Sequence, residues 1–170
     1  MLKLVNDVLE LSRIESGNMS FHCEDCSAHH FARNGLSDPS GNYSPSSEFI
    51  KEFPDEDVTI HIDRMRLTQV ITNFLGNAKK FTSQGHIKLG YFCDKEKKEI
   101  HIFVEDTGAG IPKEELQMIF ERFYKRNEFV QGVGLGLAIS KVIVEKMNGH
   151  IDVQSEVNKG SRFTAVLPYL

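Results

Sequence analysis

The sequence predicts an α/β sandwich of the α+β class, a mixed sheet with helices laid over one face. Three observations predict it. Segments that alternate apolar and polar residues, as strands do, are interleaved with segments whose apolar residues recur every three or four positions, as on helices. Two pairs of strand-like segments, Ile87–Cys93 with Ile100–Glu105 and Ile151–Ser155 with Arg162–Leu167, are joined by short polar stretches and read as hairpins. The 170 residues carry no internal repeat and are enough for one hydrophobic core.

Taken in order, Leu2 to Ser16 read as a helix. Leu2, Val5 and Leu9 form one apolar row, Leu4, Val8 and Leu11 another, and Gly17 ends it. Two rows make an apolar surface wider than one core contact needs, so this helix is expected to seek a second helix outside the chain. Residues 27–47 hold the turn formers Gly35, Asp38-Pro39, Ser40-Gly41-Asn42 and Ser44-Pro45, and are expected to be a short helix at Ala28–Arg33 followed by a loop. Strands are expected at Glu48–Phe53 and Val58–Ile62, broken at Pro54. Asp63 is placed as the N-cap of a helix with the stripe Leu67, Val70, Ile71, Phe74, Leu75 and Ala78. Pro112 stands at the first position of another helix. A further helix is expected over Leu135 to Met147, stopped by Asn148-Gly149.

Composition narrows the function classes. A formal net charge of −4 leaves no basic footprint and speaks against a nucleic-acid partner. No apolar run approaches the ~20 residues of a membrane span, and no signal peptide is visible. Three cysteines argue against a disulfide framework and for a reducing, cytoplasmic setting.

Three short motifs carry the chemistry. In Asn73-Phe-Leu-Gly-Asn77-Ala-Lys-Lys80-Phe-Thr82, the residues Asn73, Asn77 and Lys80 lie at i, i+4 and i+7 and share one helix face, opposite the Leu67/Phe74/Leu75 side. A carboxamide oxygen suits a Mg²⁺ that already carries phosphate oxygens, and Lys80 can neutralise a phosphate. A solvated helix face is the other reading of the same three residues. In Asp106-Thr-Gly108-Ala-Gly110-Ile111, a carboxylate at a strand end can accept from the exocyclic amine of adenine, where guanine offers a carbonyl. The glycines let the backbone approach a base, although a plain Asp-Gly turn has the same letters. Gly132-Val-Gly134-Leu135-Gly136 places alternate glycines before a helix, a seat for phosphate. The spacing is neither the dinucleotide fingerprint nor a Walker loop, which leaves a lid closing over phosphates.

These motifs, with Phe120-Glu-Arg-Phe123 and the ending Gly160-Ser161-Arg-Phe163-Thr-Ala-Val-Leu167, resemble the catalytic ATP-binding domain of bacterial two-component sensor histidine kinases, of the Bergerat-fold (GHKL) superfamily. The leading Leu4-Val-Asn-Asp-Val-Leu-Glu-Leu-Ser-Arg-Ile-Glu-Ser-Gly17 is similar to the end of the second helix of that family's dimerisation hairpin, which makes residues 1–17 its remnant and 18–170 the catalytic domain. The resemblance implies ATP and Mg²⁺ as ligands. Asn77 takes the place of the metal ligand, Asn73 and Lys80 approach the phosphates, and Asp106 reads adenine. Gly108, Gly110, Ile111, Gly132, Gly134, Leu135 and Gly136 take the pocket rim and lid, and Ser161 a hydroxyl position near the base. Lys125 matches a position usually held by Arg, and a lysine cannot form the bidentate fork. Phe120 and Phe123 correspond to aromatics that pack the lid or the core. ATP-hydrolysing relatives have a water-activating Glu where Asn73 stands, so the resemblance implies phosphoryl transfer. The implied partners are the phosphoacceptor helix of the parent kinase, a response regulator, and a second copy of the chain through the N-terminal helix. The parent is expected to be anchored in the bacterial inner membrane.

The family's phosphoacceptor His-Glu/Asp motif is matched by none of His22, His29, His30, His61, His86, His101 and His150, so the chain is expected to be a fragment that binds ATP without phosphorylating itself. Three other readings compete. Asp106-Thr107-Gly108-Ala109 also spells an aspartic-protease signature, which needs a second carboxylate to share its proton. His22, Cys23, Cys26, His29 and His30 are zinc-type ligands, without a finger-like second pair. The last is a nucleotide-binding interaction module that keeps the pocket without turnover.

Overall fold

The computed structural model describes residues 2–36, 46–125 and 134–170. Helix α1 (Leu2–Glu15) leads to strand β1 (Glu24–Ser27), a short helix α2 (Ala28–His30) running into a wider π-type turn (Phe31–Gly35), strands β2 (Ser47–Glu52) and β3 (Thr59–Ile62), and helix α3 (Arg64–Phe81). Strands β4 (Gly85–Asp94) and β5 (Glu99–Asp106), a 3₁₀ turn (Lys113–Glu115), helix α4 (Gly136–Lys146) and strands β6 (His150–Glu156) and β7 (Gly160–Pro168) follow. The five-stranded sheet has the order β2-β4-β5-β7-β6. Both expected hairpins form, and β2 joins β4 in parallel, from Ser47 opposite Gly85 to Glu52 opposite Gly90.

Period-two alternation decides what lies under the helices. Ile87, Leu89, Ile100, Ile102, Val104, Phe163, Ala165 and Leu167 are buried and meet the stripes of α3 and α4, with Phe74 packed on Phe163 at 5.4 Å between ring centroids. On the opposite face, Arg162 lies 4.2 Å over the Phe103 ring and hydrogen-bonds Glu105. Asp63 caps α3 as expected, accepting from the Arg66 amide at 3.2 Å, and its other oxygen accepts from the His22 amide at 2.9 Å.

The structure departs from the sequence expectations in three places. The two strands flanking Pro54 do not share a sheet, because β3 pairs with β1, a strand the sequence pattern does not reveal, in a small antiparallel sheet of its own. The segment after Pro112 forms only a 3₁₀ turn held by i→i+3 bonds, such as Glu115 N–H to Pro112 C=O at 2.9 Å. Pro112 itself is extended (φ −58°, ψ 143°) and precedes that turn rather than opening a helix. Helix α4, by contrast, ends as expected at Asn148-Gly149, with Asn148 in the left-handed conformation (φ 64°), which asparagine tolerates better than most residues.

The third departure concerns α1, whose second half does have a place on the domain. Leu11 is buried, Glu10 pairs with Arg66 and accepts from the Gln69 side-chain carboxamide at 2.6 Å, and Glu15 pairs with Arg122. The first half remains bare: Leu2 is 82% exposed, Val5 52% and Leu9 51%. No described helix is long and apolar enough to cross a membrane.

Candidate functional site

Helix α3 meets the start of α4 where the first and third motifs touch. Asn73 is half-buried, and its amide group donates to the Ser140 hydroxyl of α4 at 3.3 Å. Gly136 sits so close to the Asn73 carboxamide that a Cβ there would collide with it, so glycine is what lets α4 begin against α3. This face of α3 is therefore covered by α4 at Asn73 rather than solvated. Asn77 follows one turn on, half-buried, and Lys80 lies at the helix end, exposed. Protein crowding around its ammonium holds Lys80 below the usual lysine range, and the charges of Lys3 on α1 and of Lys125 push the same way. Lys125 is half-buried.

The second motif turns under the end of α3. Asp106 ends β5 and is 7% exposed. Its carboxyl accepts from the Gly108 amide at 2.9 Å and from the Ser161 amide, with the Thr82 hydroxyl beside it. Burial raises this carboxyl above its ordinary range, and these donors only partly offset that rise. The Thr82 oxygen is itself buried and has no well-formed hydrogen bond of its own. Gly108 passes so close to the Phe81 carbonyl and the Thr82 hydroxyl that it too leaves no room for a side chain. Thr107 fastens the turn to β4, its hydroxyl accepting from the His86 amide at 3.0 Å. Gly110 takes a left-handed conformation (φ 72°) and hands over to the buried Ile111.

The third motif is described from Gly134 on; Gly132 lies outside the described residues. Gly134 (φ 72°) accepts from the Phe123 amide at 2.9 Å, which ties the two ends of the segment between them. Leu135 is fully buried as the residue before α4. Phe123 is 60% exposed and held at φ 63°, rare for a bulky side chain, whereas Phe120 packs against the core.

Register brings in a residue that the motifs do not contain. Asp106 lies opposite Ser161 on β7, and Ser161 opposite Ser155 on β6, so the three share one level and one face of the sheet. The Ser155 hydroxyl accepts from the Ile111 amide at 2.7 Å, donates to the Gly160 carbonyl at 2.9 Å and stands 2.8 Å from the Ser161 hydroxyl. Ser140 and Lys3 likewise belong to no motif, and sequence reasoning missed them for that reason. Beside Ile111 and Ser155 an open groove of about 630 Å³ runs to Leu116 and Val153, but it includes neither Asp106 nor Asn77, and the motifs converge outside it.

Two competing readings fail on this geometry. The partners of Asp106 are backbone amides and a hydroxyl rather than a second carboxylate, and its neighbour Glu105 is engaged by Arg162 on the opposite face, so no proton-sharing pair forms. The zinc-type residues 22–30 do not converge. Cys26 is buried on β1, the His29 ring meets the Tyr91 hydroxyl at 3.3 Å, and His30 meets the Asn34 side chain at 3.0 Å. Among the described residues, three possible ligands of the His, Cys, Asp and Glu types gather only at Asp94, Glu99 and His101, on the β4–β5 hairpin.

Comparison with known proteins identifies the family of this fold. Residues 62–170 match the family described as histidine kinase-, DNA gyrase B-, and HSP90-like ATPase. The chain is 35% identical over 174 residues to the sensor histidine kinase WalK of Bacillus subtilis, covering 99% of this chain and 28% of WalK. It is 38% identical over 180 residues to the sensor histidine kinase RcsC of Salmonella typhimurium, covering 99% of this chain and 18% of RcsC. It thus spans less than a third of the length of these relatives. Full-length ShkA, solved in complex with AMPPNP, matches with a TM-score of 0.84 at 31% identity, over 99% of this chain and 35% of that one. The mycobacterial sensor histidine kinase MprB matches at 0.73 and 25% identity, over 87% of this chain and 98% of that one. The chain therefore belongs to the histidine kinase-, DNA gyrase B-, and HSP90-like ATPase family, as an ATP-binding catalytic domain of the sensor histidine kinase type.

Proposed function

We propose that this chain binds Mg²⁺-ATP where α3, the Asp106–Ile111 turn and the start of α4 converge, and orients the γ-phosphate towards a histidine on a helix pair in two-component signalling. The observation that carries this reading is the direct contact of three motifs far apart in sequence: Gly136 on Asn73, and Gly108 on Thr82 beside Asp106. A buried, ionisable acceptor and a hydroxyl without a good partner suit the polar edge of adenine. Gly110 and Ile111 border the base, with Ser161 beside it. The charges of Lys3 and Lys125 both act against the Lys80 ammonium, and a polyphosphate beside Lys80 would relieve that repulsion.

Mg²⁺ when bound would screen phosphate charge, with the neutral carboxamide oxygen of Asn77 as its protein ligand. Asn73 and Lys80 hold the phosphates, while Gly134, Leu135 and Gly136 open α4 beside them. Gly132 belongs to the same proposed rim. Catalysis in such a site is positioning and charge neutralisation, and Asn73 offers no base to activate water. The phosphoacceptor helix and a response regulator are the proposed partners, and the bare Leu2, Val5 and Leu9 row favours a second copy of the chain across α1.

Calorimetric titration with AMPPNP and with GMPPNP, each with and without Mg²⁺, tests the pocket. The expected result is Mg²⁺-dependent binding of the adenine nucleotide alone, weakened at least ~10-fold by Asp106→Asn, since the variant sets an amide N–H against backbone donors. Absence of adenine-nucleotide binding would reduce the chain to an interaction module.

A further inference from the structure

We infer that Ser155 fixes the hydrogen-bond polarity of Ser161 and thereby sharpens the site's choice of base, favouring a 6-amino purine over a 6-oxo purine. The inference rests on the proposed nucleotide pocket and goes beyond it, because Ser155 belongs to none of the motifs.

A serine hydroxyl has one proton and two lone pairs. Ser155 has three partners at hydrogen-bond distance, and only one assignment satisfies all of them. The Ile111 amide can only donate, so it takes one lone pair of Ser155 at 2.7 Å. The Gly160 carbonyl can only accept, so it takes the Ser155 proton at 2.9 Å. The remaining partner, the Ser161 hydroxyl at 2.8 Å, must then donate to the second lone pair of Ser155. The opposite assignment would turn a lone pair of Ser155 onto the Gly160 carbonyl oxygen, two acceptors face to face.

With its proton committed to Ser155, Ser161 can only accept from anything else that reaches it. Ser161 is 8% exposed and directly opposite Asp106, whose carboxylate is likewise an acceptor. The row Asp106–Ser161 therefore presents acceptors side by side on one level of the sheet. An amino group at purine position 6 supplies the donors that this row needs, whereas a carbonyl there sets lone pair against lone pair. Ser155 is thus a positioning residue for specificity, acting through Ser161 and also pinning Ile111.

Titration of the whole chain with ADP and with IDP, which differ in the base only at position 6 and the adjoining N1, tests the inference. Loss of the Ser155 hydroxyl frees the Ser161 proton to turn towards a carbonyl. Ser155→Ala is therefore expected to lower the ratio of Kd for IDP to Kd for ADP about 10-fold, while Ser155→Thr, which keeps the hydroxyl, retains the wild-type ratio. Equal weakening of both nucleotides in Ser155→Ala, with the ratio unchanged, would overturn the inference and leave Ser155 a purely structural residue. It is overturned as well if Ser155→Thr loses selectivity as fully as Ser155→Ala with an unchanged melting temperature. A wild-type chain that binds neither nucleotide would refute the pocket itself, and this inference with it.

Discussion

At the scale of single residues, two adjacent carboxyls on β5 point to opposite faces of the sheet and titrate in opposite directions. Burial raises Asp106, and the Gly108 and Ser161 amides, with the Thr82 hydroxyl nearby, do not fully compensate. Burial also works to raise Glu105, but the hydrogen bonds and charge of Arg162, helped by Lys88 and His86, hold it below its ordinary range. The sign of each follows from proton counting. Between pH 3.8 and the raised value of Asp106, the folded chain holds a proton that the unfolded chain has released, so this group's contribution to stability falls as pH rises through that window. Between the lowered value of Glu105 and 4.5 the unfolded chain binds more protons, so stability rises with pH there. For the ligand, adenine-nucleotide affinity is expected to fall on acidification at a pH above 3.8, because a protonated Asp106 is no longer a full acceptor. Titrations from about pH 7 down to about pH 4 check this, and a flat affinity across that range would count against Asp106 as the reader of the base. The sequence showed Asp106 by its place at a strand end before two glycines. It could not show Ser155, because a lone serine in an alternating strand looks the same wherever its neighbours lie.

At the scale of elements, periodicity carried most of the assignment and caps did the rest. The stripe of α3 and its Asp63 cap were legible because both are local, set by side chains within a few residues of one another. Asp63→Ala is expected to destabilise the fold by about 1–2 kcal/mol, towards the upper end for a cap because its second oxygen also holds the His22 amide, with denaturant unfolding as the measurement. The 3₁₀ turn after Pro112 reads as a helix in the sequence because a proline and two acids favour both, and only tertiary packing of Leu116, Ile119 and Phe120 against the core selects the tighter winding. Strand β1 is hidden in the sequence because Glu24–Ser27 has no apolar alternation; its partner β3 makes it a strand. Gly136 joins two elements, and its replacement tests their contact. Gly136→Ala drives a methyl into Asn73, and is expected to weaken adenine-nucleotide binding ~10-fold or more while leaving the far-ultraviolet circular dichroism unchanged. Wild-type affinity in this variant would show that the approach of α4 to α3 is not needed for binding.

At the scale of the whole molecule, the bare row on α1 and the docked half of the same helix have separate consequences. Replacing Leu2, Val5 and Leu9 together by Gln removes exposed apolar surface without touching Leu11, Glu10 or Glu15, which hold α1 to the domain. The wild-type chain is expected to self-associate in size-exclusion chromatography with light scattering, and the triple variant to be monomeric with an unchanged melting temperature. A monomeric wild type across a wide concentration range would rule out α1 as a dimer surface. The sequence by itself determined the fold class, the two hairpins, the long helices and the motif residues, because these follow from spacing along a few turns or strand residues. Only the tertiary structure decided the strand order, the separate β1–β3 sheet, the half-docked α1, and the partners of Asn73 and Ser155. Those depend on groups that meet across long stretches of chain, the Asn73 side chain with the Ser140 hydroxyl and the Ile111 backbone amide with the Ser155 hydroxyl, and no local period encodes such a meeting.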